Sequence, residues 1–183
     1  VPVSLHDLRT RDLEVVVLVS PDVGGVTRAD AIATRRDASL AVIYKRRTGN
    51  NETEVLNVVG EVEGNDVLIL DDIVDTAGTL VQAEAALRRQ GARRTYAAAV
   101  HGVFSGPSLD RLEASGLENL LGTNTTPVDA ALARCPRILA PSLAPLLGEA
   151  IQRIHGGASV SSSFFANPPL CSEVPRRRGA LTI

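Results

Sequence analysis

The sequence predicts an α/β domain: a mostly parallel sheet with helices on both faces. Three observations carry that prediction. Short, continuous apolar runs alternate with segments of helical spacing along most of the chain. The runs show little polar alternation, as strands buried on both faces do. The chemically distinctive residues recur just after those runs, at positions that a parallel sheet gathers along one rim.

The elements follow in order. Residues 15–19 (VVVLV) read as a strand and 27–36 as a helix. Residues 40–43 form the next apolar run, followed by a polar stretch to about Gly49. Residues 54–62 are expected to be extended, broken by Gly60 and Gly64. Residues 67–70 (VLIL) are a buried strand. In 80–90, Leu80, Ala83, Ala86 and Leu87 recur at helical spacing, and Gly91 ends the helix. Residues 95–100 give a strand, 108–114 a short helix, 117–121 and 137–139 two further strands, and 143–154 a terminal helix. This rhythm covers 1–165 as one domain. From Ala166 the text loses periodicity and holds Pro168, Pro169, Pro175 and three successive arginines, so 166–183 reads as a disordered, solvated tail.

Composition narrows the function. A chain of 183 residues forms one full-sized core, and 44% hydrophobic content is ordinary for a globular domain. A net charge of −2 and only 3% aromatics argue against nucleic acid as partner, since neither a basic field nor base-stacking platforms are present. No signal peptide or membrane-length apolar run is evident, so no membrane partner is expected. Cys135 and Cys171 have neither metal-ligand spacing nor a disulfide framework, which suits a reduced, cytoplasmic setting. Methionine is absent even at position 1, so the coding start lies upstream or the initiator was removed. Of 19 basic residues only Lys45 is lysine. A compact, movable ammonium is poorly replaced by arginine, which singles that residue out.

The most informative segment is VLILDDIVDTAGTL, at 67–80. A buried strand delivers Asp71 and Asp72 to its carboxyl end, where α/β sheets bind ligands. A short loop follows, Asp75, Thr76, Ala77, Gly78 and Thr79, and then a helix. Unpaired N–H groups at a helix start favour a phosphate, and Gly78 permits close backbone approach. Two acids suited to a diol beside a loop suited to a phosphate point to a sugar phosphate. The plainer alternative is that Asp72 or Asp75 caps the helix and Asp71 is solvated. The segment is neither a Walker loop nor a dinucleotide fingerprint.

Three further candidates follow predicted strands. Asp22, beside Gly24-Gly25, is placed to hold a hydrated Mg²⁺, which takes one or two protein carboxylates plus substrate oxygens; the alternative is a turn-capping aspartate. Lys45, Arg46 and Arg47 follow the run at 40–43, where cations would stabilise a transferring phosphoryl or pyrophosphoryl group; the alternative is a solvated basic turn. His101 follows the run at 95–100 and reads better as a hydrogen-bonded structural histidine.

Taken together, VSPDVGGVTRADAIA, YKRRTGNNETEVLNVVGEVEGNDVLILDDIVDTAGTL, HGVFSGPSLDRLE, TNTTP and APLLGEAIQRIHGGASVSS resemble the carboxyl half of the ribose-phosphate pyrophosphokinase (phosphoribosyl pyrophosphate synthetase) family. The resemblance covers about residues 1–164. The 67–80 segment alone is shared with type I phosphoribosyltransferases, so the resemblance implies a type I phosphoribosyltransferase-like domain. It further implies transfer of pyrophosphate from ATP to ribose 5-phosphate with Mg²⁺, giving phosphoribosyl pyrophosphate for nucleotide biosynthesis. Asp71 and Asp72 would then bind the ribose hydroxyls, and Asp75, Thr76, Ala77, Gly78 and Thr79 the 5-phosphate. Asp22 would match the magnesium-linked aspartate, and Lys45 and Arg47 the catalytic cations. Family members have two similar halves, and the amino half supplies most ATP-binding residues. That text is missing here, so the chain alone is expected to bind ribose 5-phosphate but to be deficient in ATP binding. Tyr44 stands where an acid usually precedes the lysine, and the serine-rich segment from Ser159 runs into unrelated text where a regulatory phosphate or ADP site would otherwise be implied. A homo-oligomer, or association with a full-length homologue, is expected. The alternatives are a noncatalytic regulatory or associated subunit and, less favoured, a type I phosphoribosyltransferase.

Overall fold

The structure, a computed structural model, describes residues 17–46 and 55–161. Arg47, Cys171 and the tail expected over 166–183 lie outside the described residues.

Seven strands form the main sheet. They are β1 (Val17–Ser20), β2 (Ser39–Arg46), β3 (Val55–Val59), β4 (Asp66–Leu70), β6 (Arg94–Ala98), β8 (Leu120–Leu121) and β9 (Ile138–Leu139), in the order β3-β2-β1-β4-β6-β8-β9. Only β2 and β3 pair antiparallel; every other neighbour in this sheet is parallel. A second sheet joins two short strands, β5 (Ile73–Val74) and β7 (His101–Gly102), in parallel. The helices are α1 (Val26–Arg36), α2 (Gly78–Arg89), α3 (Ser108–Ala114), α4 (Asp129–Arg134) and α5 (Ala144–His155).

Burial explains the central strands. Every residue of β1 and β4 is buried, the pattern of strands covered on both faces. Successive side chains alternate between two apolar clusters. Val17, Val19, Val67, Ile69 and Ala97 pack with Leu80, Ala83 and Leu87 of α2, Leu112 of α3 and Leu132 of α4. Leu18, Leu68, Tyr96 and Leu121 pack with Ala29 and Ala33 of α1. Parallel pairing forces each strand to return by a crossover, and α1 and α2 supply the crossovers on opposite faces.

Asp66, a fully buried acid at the amino end of β4, is clamped by Arg93 at 2.7 Å and Arg94 at 2.5 Å. Burial pushes its carboxyl up, but the two guanidinium hydrogen bonds outweigh that and hold it below the usual range. At the far end of the chain α5 buries no side chain, and Leu147, Ile151 and Ile154 lie exposed along it. Among the described residues no helix is long and apolar enough to cross a membrane. Cys135 is buried and free.

Two expectations change. The strand expected over 40–43 runs on through Lys45 and Arg46, because β3 pairs with it: Tyr44 lies opposite Asn57 and Lys45 opposite Leu56. Lys45 and Arg46 are therefore strand residues rather than a turn. The run expected over 95–100 divides, with β6 ending at Ala98 and the chain rejoining the small sheet at His101.

Candidate functional site

Strand order decides where the site lies. From β1 the chain crosses to β2 on one side, and from β4 it crosses to β6 on the other. Connections diverge between β1 and β4, and α/β sheets open their ligand crevice at such a point. Val17, Leu18 and Val19 lie opposite Val67, Leu68 and Ile69, so the two strands end at one level. The turn carrying Asp22 thereby meets the acid pair Asp71 and Asp72.

The two acids are held differently. The Asp71 N–H donates to the Ala98 carbonyl at 2.9 Å, and its carboxylate accepts the Asp72 N–H at 2.8 Å. Partial burial pushes the Asp71 carboxyl up to about 6; the Asp72 N–H pulls it down in part, while the charges of Asp72 and Asp22 push it further up. Asp72 is exposed and receives Arg28 Nη1 on Oδ2 at 3.1 Å. That guanidinium holds Asp72 below the usual carboxylate range. Near pH 6 the pair therefore presents one firmly ionised acceptor and one carboxyl balanced between acceptor and donor. The Asp72 carbonyl is fixed in turn by the N–H groups of Val100 and His101 at 3.1 and 2.8 Å.

The loop beyond the acids has two distinct sides. Its carbonyls are occupied: that of Val74 by the N–H groups of Val103 and Phe104, that of Asp75 by Ser105, that of Thr76 by Arg111 Nη1, and that of Ala77 by Val81. The Asp75 carboxylate accepts the Ser105 hydroxyl. Among the described residues, no backbone N–H from position 75 to 80 donates a hydrogen bond. Ala77 adopts the left-handed conformation, φ 59° and ψ 6°, immediately before α2 begins. A left-handed residue in such a run turns successive N–H groups into one concavity, an anion-binding nest at a positive helix end. A cavity of about 140 Å³ lies there, lined by Asp71 and residues 73–80. No side chain caps α2, so neither Asp72 nor Asp75 serves as its cap.

Asp22 does close its own turn, Oδ1 accepting the Gly25 N–H at 2.7 Å, while the Ser20 hydroxyl donates to its carbonyl at 2.7 Å. The capping alternative is thus realised for one oxygen. Among the described residues no three His, Cys, Asp or Glu side chains converge as a complete metal cage. Asp22 would nonetheless offer Mg²⁺ one fixed carboxylate, the kind of donor that ion takes when substrate oxygens complete its shell. Lys45 sits three residues past Val42, the partner of Ser20, so β2 carries it roughly 10 Å beyond the end of β1 on the same rim. The structure thus brings Asp22, Asp71, Asp72 and the loop 75–79 together, with the Lys45 backbone on that side of the sheet; Arg47 lies outside the described residues.

His101 is the hydrogen-bonded residue expected, its Nδ1 at 2.9 Å from the Thr125 hydroxyl. Thr123 and Thr125 both donate to the Val100 carbonyl, at 2.6 and 3.1 Å, and Thr126 to that of Gly102 at 2.7 Å. Sequence reasoning missed Arg28, Ser105 and Arg111. Arg28 has a faint signal, lying in the first turn of the helix after the Asp22 loop; the other two have none.

A mostly parallel sheet with helices on both faces, opening on a cavity in its β4–loop–α2 unit, is an α/β domain of the phosphoribosyltransferase-like class. An adenine phosphoribosyltransferase matches this fold at TM-score 0.52 and 14% identity, over 66% of this chain and 75% of that one, a likeness of fold alone. The phosphoribosylpyrophosphate synthetase from Mycobacterium smegmatis superposes at TM-score 0.69 and 36% identity, over 78% of this chain and 45% of that one. The chain belongs to the phosphoribosyl synthetase-associated domain family, which matches residues 48–165. It is 50% identical over 165 residues to the ribose-phosphate pyrophosphokinase of Synechococcus elongatus, covering 89% of this chain and 50% of that protein. The namesake from Burkholderia pseudomallei is 48% identical over 163 residues, covering 89% and 51%. The chain spans about half the length of the curated relatives it matches.

Proposed function

We propose that this chain is the ribose 5-phosphate-binding half of a ribose-phosphate pyrophosphokinase, which passes pyrophosphate from ATP to ribose 5-phosphate for nucleotide biosynthesis. One observation carries the reading: a loop whose carbonyls at 74–77 are occupied, and whose N–H groups donate no hydrogen bond among the described residues, lines a cavity directly after an acid pair at the carboxyl end of β4. The loop 75–79 takes the 5-phosphate, and Asp71 and Asp72 take ribose hydroxyls. Arg28 keeps Asp72 ionised, and therefore an acceptor. Asp22 offers its second oxygen to Mg²⁺, which when bound neutralises phosphate charge. Lys45 and Arg47 supply cations to the transferring group. Such transfers need positioning and charge neutralisation more than covalent help from the protein.

Isothermal titration of the chain with ribose 5-phosphate in Mg²⁺ tests this. Saturable heat is expected, with little or no turnover of ATP by the chain alone; absence of heat would sink the proposal. A second reading takes up the description of the matching family, a phosphoribosyl synthetase-associated domain: an associated, noncatalytic subunit that docks on a full-length homologue. Co-purification with such a homologue, without any gain in its rate per site from the added chain, would select that reading.

A further inference from the structure

The loop at 75–79 is held by residues that do not themselves line the cavity. The loop's outer bonds come from one stretch, 103–111, which crosses behind it. We propose that Arg111, assisted by Ser105, is a positioning residue that holds the 75–79 loop with its N–H groups turned toward an anion. The proposal rests on the reading of this loop as the phosphate subsite.

Four observations support it. Arg111 Nη1 donates to the Thr76 carbonyl at 2.9 Å from 35 positions away, so a long-range contact fixes one peptide of the loop. A Cβ added to Gly78 would stand 3.4 Å from the same Nη1, so the guanidinium lies along the loop and against the start of α2. Arg111 does not line the cavity, and its role there is therefore through the peptide it holds rather than through direct contact with a ligand. The base of the brace is rigid. Leu112, the next residue, is buried in the core, and Arg137 donates to the carbonyls of Leu112, Glu113, Ser115 and Leu117 at 2.7–3.1 Å.

The physical reason is orientation. Ala77 is a left-handed non-glycine residue, a conformation that persists only where surrounding contacts over-determine it. If the Thr76–Ala77 peptide rotated, a carbonyl oxygen would replace an N–H at the cavity wall and repel an anion. Holding the Thr76 oxygen from outside prevents that rotation at no cost to the cavity.

The test compares the full chain with Arg111→Ala and Arg111→Lys, using amide hydrogen exchange without ligand and titration with ribose 5-phosphate and Mg²⁺. Arg111 is on the surface, so both variants are expected to fold, with melting temperatures within about 2 °C of the parent. Amides 76–79 should exchange at least about fivefold faster in Arg111→Ala, and affinity should fall about tenfold, ~1.4 kcal/mol. Arg111→Lys, which keeps a donor of similar reach, should recover most of both. A general loss of packing would raise exchange across α2 and α3 as well and would not be rescued. Unchanged exchange at 76–79 overturns the proposal, as does parental affinity in Arg111→Ala. If the parent chain takes no ribose 5-phosphate, the sugar-phosphate reading fails, and the exchange data alone decide whether Arg111 orders the loop.

Discussion

Asp71→Asn should make this domain more stable at neutral pH while weakening its hold on the sugar. The Asp71 carboxyl stands at about 6 in the folded protein, against an ordinary value of 3.8. Between those values the folded state binds more protons than the unfolded state, so stability falls as pH rises and the loss is complete above about pH 6. The gap, at 1.36 kcal/mol per pH unit, corresponds to about 3 kcal/mol. Asp72 shares the interaction and is itself held low by Arg28, so the loss belongs to the pair, and removing one charge should recover about 1–3 kcal/mol. Asparagine retains the oxygen that accepts the Asp72 N–H, so the turn is preserved. For a domain of this size that is a rise in melting temperature of about 3–10 °C. Thermal melts of both proteins, without Mg²⁺, at pH 4 and pH 7.5 are the assay. The two curves should nearly coincide at pH 4 and separate by pH 7.5. A separation no larger at pH 7.5 than at pH 4, or a less stable variant at pH 7.5, would show that Asp71 carries no such strain.

Other outcomes follow from single contacts. Arg28→Ala removes a half-exposed ion pair, so denaturant titration should show a loss under about 1 kcal/mol. Because Arg28 lowers the Asp72 carboxyl, that loss is present above about pH 4 and disappears as the pH falls further, whereas ribose 5-phosphate affinity should drop severalfold at neutral pH. Lys45→Ala in a complete enzyme should lower turnover by at least about a hundredfold with a much smaller change in sugar affinity, as measured by steady-state kinetics. Gly60→Ala and Gly78→Ala should separate stability from binding. At Gly60 φ is +121° and a Cβ would lie 2.7 Å from Ala41 Cβ and 2.8 Å from its Cα, so a loss of about 2–4 kcal/mol is expected on denaturation. At Gly78 the nearest atom would be 3.4 Å away, so stability should hold while titration shows weaker ribose 5-phosphate binding.

How much of this was legible beforehand depended on whether the determining contacts were local. Residues 67–70 announce a buried strand because every position is apolar, and β4 is buried throughout. The helix after the loop was legible from Leu80, Ala83 and Leu87, which the core does bury. The two-residue strands β5 and β7 were not, since nothing in Ile73-Val74 or His101-Gly102 except their mutual pairing makes them strands. Helix α4, six residues long, has too few turns to show a period. The extension of β2 through Lys45 and Arg46 arises from antiparallel pairing with β3, and charged residues are poor predictors of a strand. The candidate acids and the loop could be named from their order after a strand. The unequal ionisation of Asp71 and Asp72 could not, because it depends on Arg28, 44 positions from Asp72.

A site can hold a ligand only if contacts fix the groups that shape it. Here they do. The loop 75–79 is fixed by Val103, Phe104, Ser105 and Arg111, the acid pair by Ala98, Val100, His101 and Arg28, and the Asp22 turn by Ser20 and Gly25. Strand order accounts for their convergence. Because the connections diverge between β1 and β4, the turn after one strand and the acids after the other meet at one level of the rim. The same geometry explains why binding and turnover separate under the proposed function. Under that proposal the loop and the paired acids serve the sugar phosphate, whereas a triphosphate calls for cations on the open side of the rim. Lys45, on the strand that runs past the end of β1, is the cation proposed for that task. Under the proposed function, substitutions in the loop should therefore act on sugar-phosphate affinity, and substitution of Lys45 on turnover.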